Sequence, residues 1–238
     1  MSSKPLDIIE KALSEGRSKL LEHEALALVK SYGIPVAKYG IVFDESDVER
    51  VVKSIGFPVV AKVVSPDISH KSDVGGVILG IKDIEGAVKS YRQIISNVKK
   101  YVPNAKIVGV LYQKMASPGY IEVIVGATRD QTFGPVVMFG IGGIFVELLK
   151  DVSFRLAPLD PEDADDMIKE IKGYRLLEGY RGMPPRDVEA IKDILIKTSK
   201  IITDIDRIQD IDLNPIMLYE KGKGALTVDV RVILRKFE

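Results

Sequence analysis

The 238-residue sequence contains no cysteine and only two histidines, His23 and His70. Without cysteine the chain has no disulfide, no thiolate nucleophile and no cysteine-ligated metal. Two histidines are also too few for a multi-histidine zinc site. Lys and Arg together number 34, as do Asp and Glu, so the formal net charge is zero. Binding to nucleic acid or to a membrane surface needs an excess of positive charge, so we expect neither partner.

Long apolar runs are also missing. The longest uncharged stretch, Gln131 to Val146, has 16 residues and includes four glycines, whereas a membrane-spanning helix needs about 20 apolar residues. The first ten residues lack the apolar core of a signal peptide. We therefore expect a cytoplasmic protein. Three Asn and four Gln, with abundant Lys, Glu and Ile, are typical of a thermophile.

Helix and strand signals alternate along the whole chain. Asp44, Asp83 and Asp160-Pro161 each precede apolar residues at helical spacing, which predicts a capped helix after each of them. A last long helix is predicted from Val188 to Ile205. Residues 129–134 read as a hairpin connection. The class is α/β or α+β with antiparallel pairs, and its β-branched runs are Pro58–Val64, Ala105–Gln113, Ile121–Ala127, Pro135–Phe139, Ile208–Leu213 and Leu226–Ile233.

Common nucleotide-binding loops do not occur. No G-x-x-x-x-G-K-[ST] motif is present, and Gly140-Ile141-Gly142-Gly143 lacks the third glycine of a dinucleotide fingerprint. If the protein handles a nucleotide, it must use another design.

Two neighbouring segments carry candidate phosphate chemistry. Lys62 interrupts an apolar strand, where an ammonium group is costly unless it meets an anion. It is either a snorkelling edge-strand lysine or a phosphate ligand. His70 lies among hydroxyl and charged residues in a loop that ends in Gly75-Gly76, a pair that lets backbone approach a ligand closely. His70 is either an ordinary surface histidine or a reactive one, whereas His23 on a predicted helix is given no role.

Two later clusters suggest the rest of a nucleotide site. Gln113 and Met115 end a strand, and Glu122 lies on the next one, which suits an adenine hinge followed by a ribose or metal contact or is simply a hairpin. Asp212-Leu213-Asn214-Pro215 and Asp229 offer hard oxygen ligands that suit Mg²⁺. The alternative for this second cluster is an Asx-Pro turn with solvated acids.

The order of these motifs resembles the order found in ATP-grasp enzymes. The sequence resembles more closely the β subunit of archaeal ADP-forming acyl-CoA (acetyl-CoA) synthetases, which are relatives of the succinyl-CoA synthetase β chain. The resemblance covers essentially the whole chain. It rests on Glu22-His23-Glu24-Ala25, Tyr32-Gly33-Ile34-Pro35, Ser65 to Val77, Gly140 to Glu147 and Asp212-Leu213-Asn214-Pro215.

The resemblance implies an ATP-grasp fold of two lobes, each with a mixed or antiparallel sheet flanked by helices, with nucleotide between them. We place an N-terminal helical segment at 1–21, the first lobe at 22–108 and the second at 109–238. It further implies a partner α subunit with the CoA-binding and acyl-phosphate-forming domains, in an α₂β₂ assembly. The reaction would be acyl-CoA + ADP + phosphate ⇌ carboxylic acid + CoA + ATP.

The resemblance also assigns roles to single residues. His70 would carry the phosphoryl group, with Asp212 orienting it. Lys62 would hold nucleotide phosphates, and Gln113, where the family often has glutamate, would hold adenine with the backbone near Met115. Glu122 would face the sugar or metal. The turn at Gly142 and Gly143 would offer backbone N–H groups, and Asn214 and Asp229 would bind Mg²⁺.

Two other functions stay open. One is a stand-alone ATP-grasp carboxylate ligase that acts through an acyl phosphate and has no carrier histidine. The other is a non-catalytic ATP-sensing module in which no phosphoryl group moves.

Overall fold

A computed structural model describes residues 5–143 and 150–235, so the predicted motif residues 144–147 lie outside the described part. The chain forms two compact units. The smaller unit comprises Leu21–His23 and Ala37–Ala116, and the larger one comprises Met1–Leu20, Glu24–Val36 and Ser117–Glu238. Residues 109–116 thus fall in the smaller unit, because their strand pairs with two strands there. The lobes at 22–108 and 109–238 stay a prediction.

The smaller unit is built on a four-stranded antiparallel sheet in the order β1-β4-β2-β3. A short 3₁₀ turn, Glu45–Asp47, precedes its first helix. The elements are β1 Tyr39–Val42, α3 Val48–Ile55, β2 Val59–Val64, β3 Val77–Ile81, α4 Ile84–Tyr101 and β4 Gly109–Lys114.

Helices α3 and α4 cover one face of this sheet. Alternate residues of β2, namely Val59, Ala61 and Val63, join Val110 and Tyr112 of β4 in the core beneath the helices. Because side chains alternate between the two faces of a strand, Val60 and Lys62 of β2 lie on the opposite face.

The larger unit contains a second antiparallel sheet in the order β10-β8-β5-β6-β7, with β9 paired to β8. Residues 18–20 extend it beside β10 through Leu20 N–H to Val232 O at 3.0 Å and Leu234 N–H to Ser18 O at 2.8 Å. Its elements, with α2 beginning in the smaller unit, are α1 Pro5–Ser14, α2 Glu22–Ser31, β5 Ile121–Asp130, β6 Gly134–Ile141, β7 Val152–Leu156, α5 Pro161–Glu170, α6 Tyr174–Leu177, α7 Val188–Asp204, β8 Ile208–Leu218, β9 Ala225–Thr227 and β10 Val230–Leu234.

The predicted helix starts are confirmed by their caps. Asp83 accepts a hydrogen bond from Gly86 N–H, and Asp160 forms a reciprocal capping box with Asp163. The side chain of Asp44 caps the 3₁₀ turn that leads into α3. The hairpin at 129–134 is also confirmed, since β5 ends at Asp130 and β6 begins at Gly134.

Three strands and one boundary differ from the sequence interpretation. β1, β3 and β7 were not anticipated, because they are only four or five residues long and lie at or near sheet edges. The run Leu226–Ile233 is not one strand: it breaks between β9 and β10, and Asp229 lies in the break.

Tyr112 ties the smaller sheet to helix α4, and its removal tests this packing. The side chain is fully buried, and its hydroxyl donates to Ala87 O at 2.8 Å and lies 3.2 Å from Ser90 Oγ. Burial raises the pKa of Tyr112 to about 12, so the hydroxyl stays protonated. We expect Tyr112→Phe to lower the free energy of unfolding by about 1 kcal/mol in urea titrations, because one buried hydrogen bond is lost while Ser90 Oγ and Ala87 O keep each other as partners.

The matched control is Tyr101→Phe, since Tyr101 is 58% exposed at the end of the same helix. Its change should stay within about 0.5 kcal/mol. Equal effects of the two substitutions would contradict the role given to the Tyr112 hydroxyl.

Candidate functional site

Lys62 and Gln113 share the face of the smaller sheet that is opposite α3 and α4. Lys62 pairs with Leu111 of β4, and Gln113 pairs with Val60 of β2. Residues directly opposite in a ladder project to the same face, as do residues two apart on one strand. The alternation that buries Val59, Ala61 and Val63 therefore sends Lys62 and Gln113 away from the helices.

The ammonium group of Lys62 meets a buried carboxylate. Its Nζ lies 2.6 Å from Glu22 Oε1, and the second oxygen of Glu22 accepts a hydrogen bond from Lys71 Nζ. The Glu22 side chain is only 3% exposed, and that of Lys62 is 12% exposed. Burial alone would raise the pKa of Glu22, but the two ammonium groups outweigh it and hold that pKa below its ordinary value. Lys62 is thus a paired cation, not a snorkelling one.

His70 is exposed in the loop between β2 and β3, residues 65–76. Contacts with the rest of the smaller unit hold the loop both before and after His70. Ile68 is buried in the core, and Asp67 Oδ2 accepts a hydrogen bond from Lys106 N–H at 2.7 Å. Lys71 follows His70 directly and pairs with Glu22. The loop is therefore anchored on either side of a short exposed segment that contains His70.

Gly75 and Gly76 fit closely against their own unit. A Cβ at Gly76 would lie 2.6 Å from Val63 Cγ1 and 2.9 Å from Lys71 O, and one at Gly75, where φ is +62°, would lie 2.5 Å from Asn97 Nδ2. Gly75 O also accepts a hydrogen bond from Asn97 Nδ2 at 2.9 Å. The two glycines thus allow the backbone to approach Val63, Lys71 and Asn97 closely rather than a ligand. These contacts close the base of the His70 loop.

Gln113 carries a polar group whose partner the described chain does not supply. The side chain is 1% exposed, and its Nε2 has no hydrogen-bond partner among the described residues. A buried donor without a partner is costly and marks a place where a ligand acceptor fits. At Met115, by contrast, the backbone N–H already donates to Pro58 O at 3.1 Å, and Sδ accepts from Gly80 N–H at 3.2 Å. The backbone group of Met115 that could contact adenine is therefore its carbonyl oxygen.

In the larger unit, the turn at Gly142 and Gly143 lies against Glu122. Gly142 N–H donates to Glu122 O at 2.7 Å, and a Cβ at Gly142 would come within 3.1 Å of the Glu122 backbone. A Cβ at Gly143, where φ is +68°, would lie 3.9 Å from Glu122 Oε2. Glycine at 142 therefore allows close packing, and its N–H is engaged rather than offered to a ligand.

Asn214 lies at a bulge in β8. Opposite β5, Ile216 pairs with Val123 and Leu213 pairs with Val125, so two residues of β8 face one of β5. A bulge of this kind changes the direction of the side chains at that point. Asn214 N–H donates to Asp229 O at 3.2 Å, which brings the two predicted metal ligands to neighbouring backbone positions. Asp229 lies in the break between β9 and β10, where its Oδ1 accepts from Val230 N–H at 2.9 Å.

Asp212 lines a groove of 310 Å³ on the face of the larger sheet away from α5 and α7. Its strand neighbours Ile211 and Leu213 are buried, and Gly126, Met138, Phe154 and Arg231 also line the groove. Burial raises the pKa of Asp212. Arg231, with Nη2 at 3.7 Å, opposes this rise in pKa, and the carboxylate of Asp229 adds to it.

These side chains suit magnesium better than a transition metal. Among residues 5–143 and 150–235, no group of three or more His, Cys, Asp or Glu residues is arranged to hold a metal ion. Asn214 and Asp229 offer two oxygen ligands, and Mg²⁺ is commonly held by one or two protein ligands together with water and phosphate oxygens.

The sequence interpretation did not assign roles to Glu22 and Lys71. The available signal was an acid placed between Leu20-Leu21 and Ala25-Leu26, since a charge within a buried apolar run needs a partner. Which cations pair with it depends on chain segments 40 and 49 residues away.

In the described part of the chain, no helix has the length and apolar character needed to cross a membrane.

Comparison with known proteins places the whole chain in one group. A family model described as an ATP-grasp domain matches residues 11–234. The β subunit of acetate–CoA ligase [ADP-forming] II from Pyrococcus furiosus is 47% identical over 236 residues, covering 99% of this chain and 100% of that subunit. Acetate–CoA ligase [ADP-forming] I from Archaeoglobus fulgidus is 47% identical over 230 residues, covering 96% of this chain but 33% of that longer protein.

Solved structures agree with these relatives. Acetyl-coenzyme A synthetase 1 of Ca. Korarchaeum cryptofilum, in complex with coenzyme A, Ca-AMPCP and HgCl⁺, has a chain 52% identical to this one with a TM-score of 0.93, and 98% of this chain and 100% of that chain are covered. A second structure of that enzyme contains coenzyme A and Mg-AMPPCP, with a phosphohistidine segment pointing towards the nucleotide binding site. Its chain is 48% identical with a TM-score of 0.85 and the same coverage.

The raised pKa of Asp212 predicts a gain in stability when its charge is removed. An acid whose pKa is higher in the folded state contributes stability at low pH that is lost as pH rises through that pKa. Asn cannot ionise, so Asp212→Asn should unfold at a higher temperature than the parent at pH 7. This difference should shrink as pH falls towards the ordinary Asp pKa of about 3.9.

Asp206→Asn is the control, because Asp206 is 78% exposed, and an exposed pair contributes little. Scanning calorimetry at several pH values measures both variants. A loss of stability for Asp212→Asn at pH 7 would show that burial does not penalise this charge.

Proposed function

The chain belongs to the ATP-grasp family, among the β subunits of ADP-forming acetate–CoA ligases, and on this basis we propose how its own residues serve that ligase. It is the nucleotide-binding β subunit of an ADP-forming acyl-CoA synthetase. Its task in the proposal is to move a phosphoryl group between ATP or ADP and His70.

The observation that carries the proposal is the link, through Glu22, between Lys62 and the loop that contains His70. Lys62 and Lys71 share the carboxylate of Glu22, and His70 directly precedes Lys71. His70 is exposed, so its imidazole is accessible to a reacting group.

The proposed step uses His70 as a nucleophile. A neutral imidazole nitrogen forms a bond to the γ-phosphorus of ATP, the bond from that phosphorus to the bridging oxygen breaks, and ADP leaves with the electron pair. The ring is then a phosphorylated imidazolium until its other nitrogen releases a proton to solvent. Lys62 stabilises the negative charge on the phosphoryl oxygens in the transition state of this transfer. ADP reverses the reaction.

Gln113, Glu122, Asn214 and Asp229 bind and orient the nucleotide and its metal in the proposal. The unpartnered Nε2 of Gln113 donates to a ring nitrogen of adenine, which gives that buried amide the acceptor it lacks. Glu122, backed by the turn at Gly142 and Gly143, faces the sugar or the metal. Asn214 and Asp229 hold Mg²⁺, which when bound neutralises charge on the phosphate oxygens.

Asp212 is the residue we propose for stabilising a phosphorylated histidine. A carboxylate that accepts the second ring N–H fixes the tautomer of a histidine and favours its positive form. A partly buried acid with a raised pKa is costly to the fold, and such residues cluster at functional sites. The groove that Asp212 lines would admit an imidazole-sized group.

A second subunit completes the proposed enzyme. The P. furiosus relative is named as a β subunit, and in the A. fulgidus relative the matching region is a third of a longer chain. We propose a separate α subunit that binds CoA and the carboxylic acid and forms the acyl phosphate, in an α₂β₂ complex. The phosphoryl group passes from the acyl phosphate to a histidine of that subunit, then to His70, then to ADP.

Phosphorylation of His70 tests the proposal. The full chain, incubated with labelled ATP and Mg²⁺ together with its α subunit, should gain an acid-labile, base-stable phosphate that ADP removes. His70→Ala should abolish this phosphate and acyl-CoA synthesis while thermal unfolding stays unchanged, since the His70 side chain is exposed and packs little.

His23→Ala is the matched control, and the phosphate should remain in that variant. Near-normal acyl-CoA synthesis by His70→Ala in the reconstituted complex would refute the carrier role. A complex that forms acyl-CoA without any labelled protein would favour direct acyl phosphate chemistry instead.

Removing the proposed metal ligands tests the nucleotide site. We expect Asn214→Ala and Asp229→Asn each to weaken Mg-ADP binding by about tenfold to a hundredfold in calorimetry, because an oxygen ligand to the metal is lost or weakened. The Asn at 229 can still accept the hydrogen bond from Val230 N–H. Asn104→Ala, at an exposed asparagine of the smaller unit, should bind as the parent does. Unchanged affinity in both ligand variants would exclude them from the metal site.

A further inference from the structure

Glu22 joins two segments that the proposed reaction must coordinate. One oxygen of its carboxylate holds Lys62 at 2.6 Å, and the other holds Lys71. Lys62 is the residue proposed to bind nucleotide phosphates, and Lys71 is the immediate neighbour of His70 in the loop 65–76. A single buried side chain therefore contacts both the phosphate-binding strand and the histidine loop.

The ion pair at Lys71 is the anchor that follows His70. Before His70, the buried Ile68 and the hydrogen bond from Lys106 N–H to Asp67 fix the chain. Ser69 and His70 are the exposed residues between Ile68 and Lys71. Gly76 N–H then donates to Lys71 O at 2.8 Å, so the backbone at Lys71 is also part of the closed base of the loop.

We propose that Glu22 is a positioning residue for the phosphoryl transfer, with Lys71 as the latch that holds the His70 segment in place. This rests on the proposed function, because it gives Glu22 and Lys71 a part in that same reaction. Transfer between a nucleotide and an imidazole needs the reacting atoms within about 3–3.5 Å of each other. A loop held on both sides of His70 spends more of its time in one arrangement than a loop held on one side.

The charges suggest why one carboxylate serves both lysines. The carboxylate of Glu22 has two oxygens, and each of them accepts a hydrogen bond from one of the two ammonium groups. When Lys62 turns to a phosphate, Glu22 retains Lys71 as a partner, so its buried charge is not left unpaired. Nucleotide can therefore engage Lys62 without releasing the His70 segment.

Lys71→Met tests the latch while leaving the pair between Glu22 and Lys62 in place. Met keeps most of the length of the side chain but has no charge. In the full chain without nucleotide, we expect amide hydrogen exchange in residues 66–75 to rise by about tenfold. With the α subunit and saturating Mg-ATP, single-turnover phosphorylation of His70 should slow by about tenfold, with Mg-ADP affinity within about threefold of the parent.

Two further variants separate the latch from a general loss of charge. Lys71→Arg keeps a cation and should restore phosphorylation. Lys106→Met removes an exposed lysine beside the same loop, whose backbone rather than side chain holds Asp67, and it should behave as the parent.

Glu22→Gln adds a test of the pairing itself. If Lys71 acts through Glu22, adding Lys71→Met to Glu22→Gln should slow phosphorylation by less than about twofold more. Should Glu22→Gln fail to fold, Lys71→Met and Lys71→Arg still decide the question.

Unchanged loop exchange in Lys71→Met would overturn the latch, whatever happens to the reaction. Slower phosphorylation without faster exchange would place Lys71 on the phosphate itself, and faster exchange with normal phosphorylation would remove the positioning role. If the parent complex does not phosphorylate His70 at all, the proposed function fails, and the positioning role fails with it.

Discussion

The two sheets each bury one face under helices, and this constraint decides on which face the candidate strand residues lie. Side chains alternate along a strand, so a core that takes Val59, Ala61 and Val63 must turn Lys62 to the other face. In the larger unit the same rule buries Ile211 and Leu213 and turns Asp212 into a groove. Lys62, Gln113 and Asp212 therefore lie on the faces that are turned away from the helices.

Several buried polar groups are costly to the fold. Gln113 buries an amide nitrogen without a partner in the described chain, and Asp212 carries a carboxyl whose pKa is raised by burial. Glu22 is buried too, but two lysines compensate its charge. Polar groups that weaken a fold are retained where a ligand or a reaction uses them. This pattern agrees with a chain in the ATP-grasp family, whose members bind nucleotides.

The sequence predicted elements well where local chemistry decides them. Asp83 and Asp160 cap helices because their carboxylates satisfy N–H groups that every helix start leaves open. It failed at β1, β3 and β7, which are only four or five residues long and lie at sheet edges, where β-propensity is a weak signal. Among site residues, the strand position of Lys62 and the exposure of His70 were predictable. The close packing of Gly75 and Gly76 against Val63 and Asn97 was not, because glycine alone does not reveal what approaches it.

The sequence by itself determined the absence of cysteine and multi-histidine chemistry, the antiparallel mixed class, and the order of motifs that identifies the family. These properties depend on composition, periodicity and local capping, which involve residues close together in the sequence. Only the tertiary structure decided that Glu22 pairs with both Lys62 and Lys71, that Asn214 lies at a bulge beside Asp229, and that the His70 segment is anchored on both sides. Each of these contacts joins residues far apart in the chain, and their charges and hydrogen bonds become specific only when folding brings them within a few ångströms.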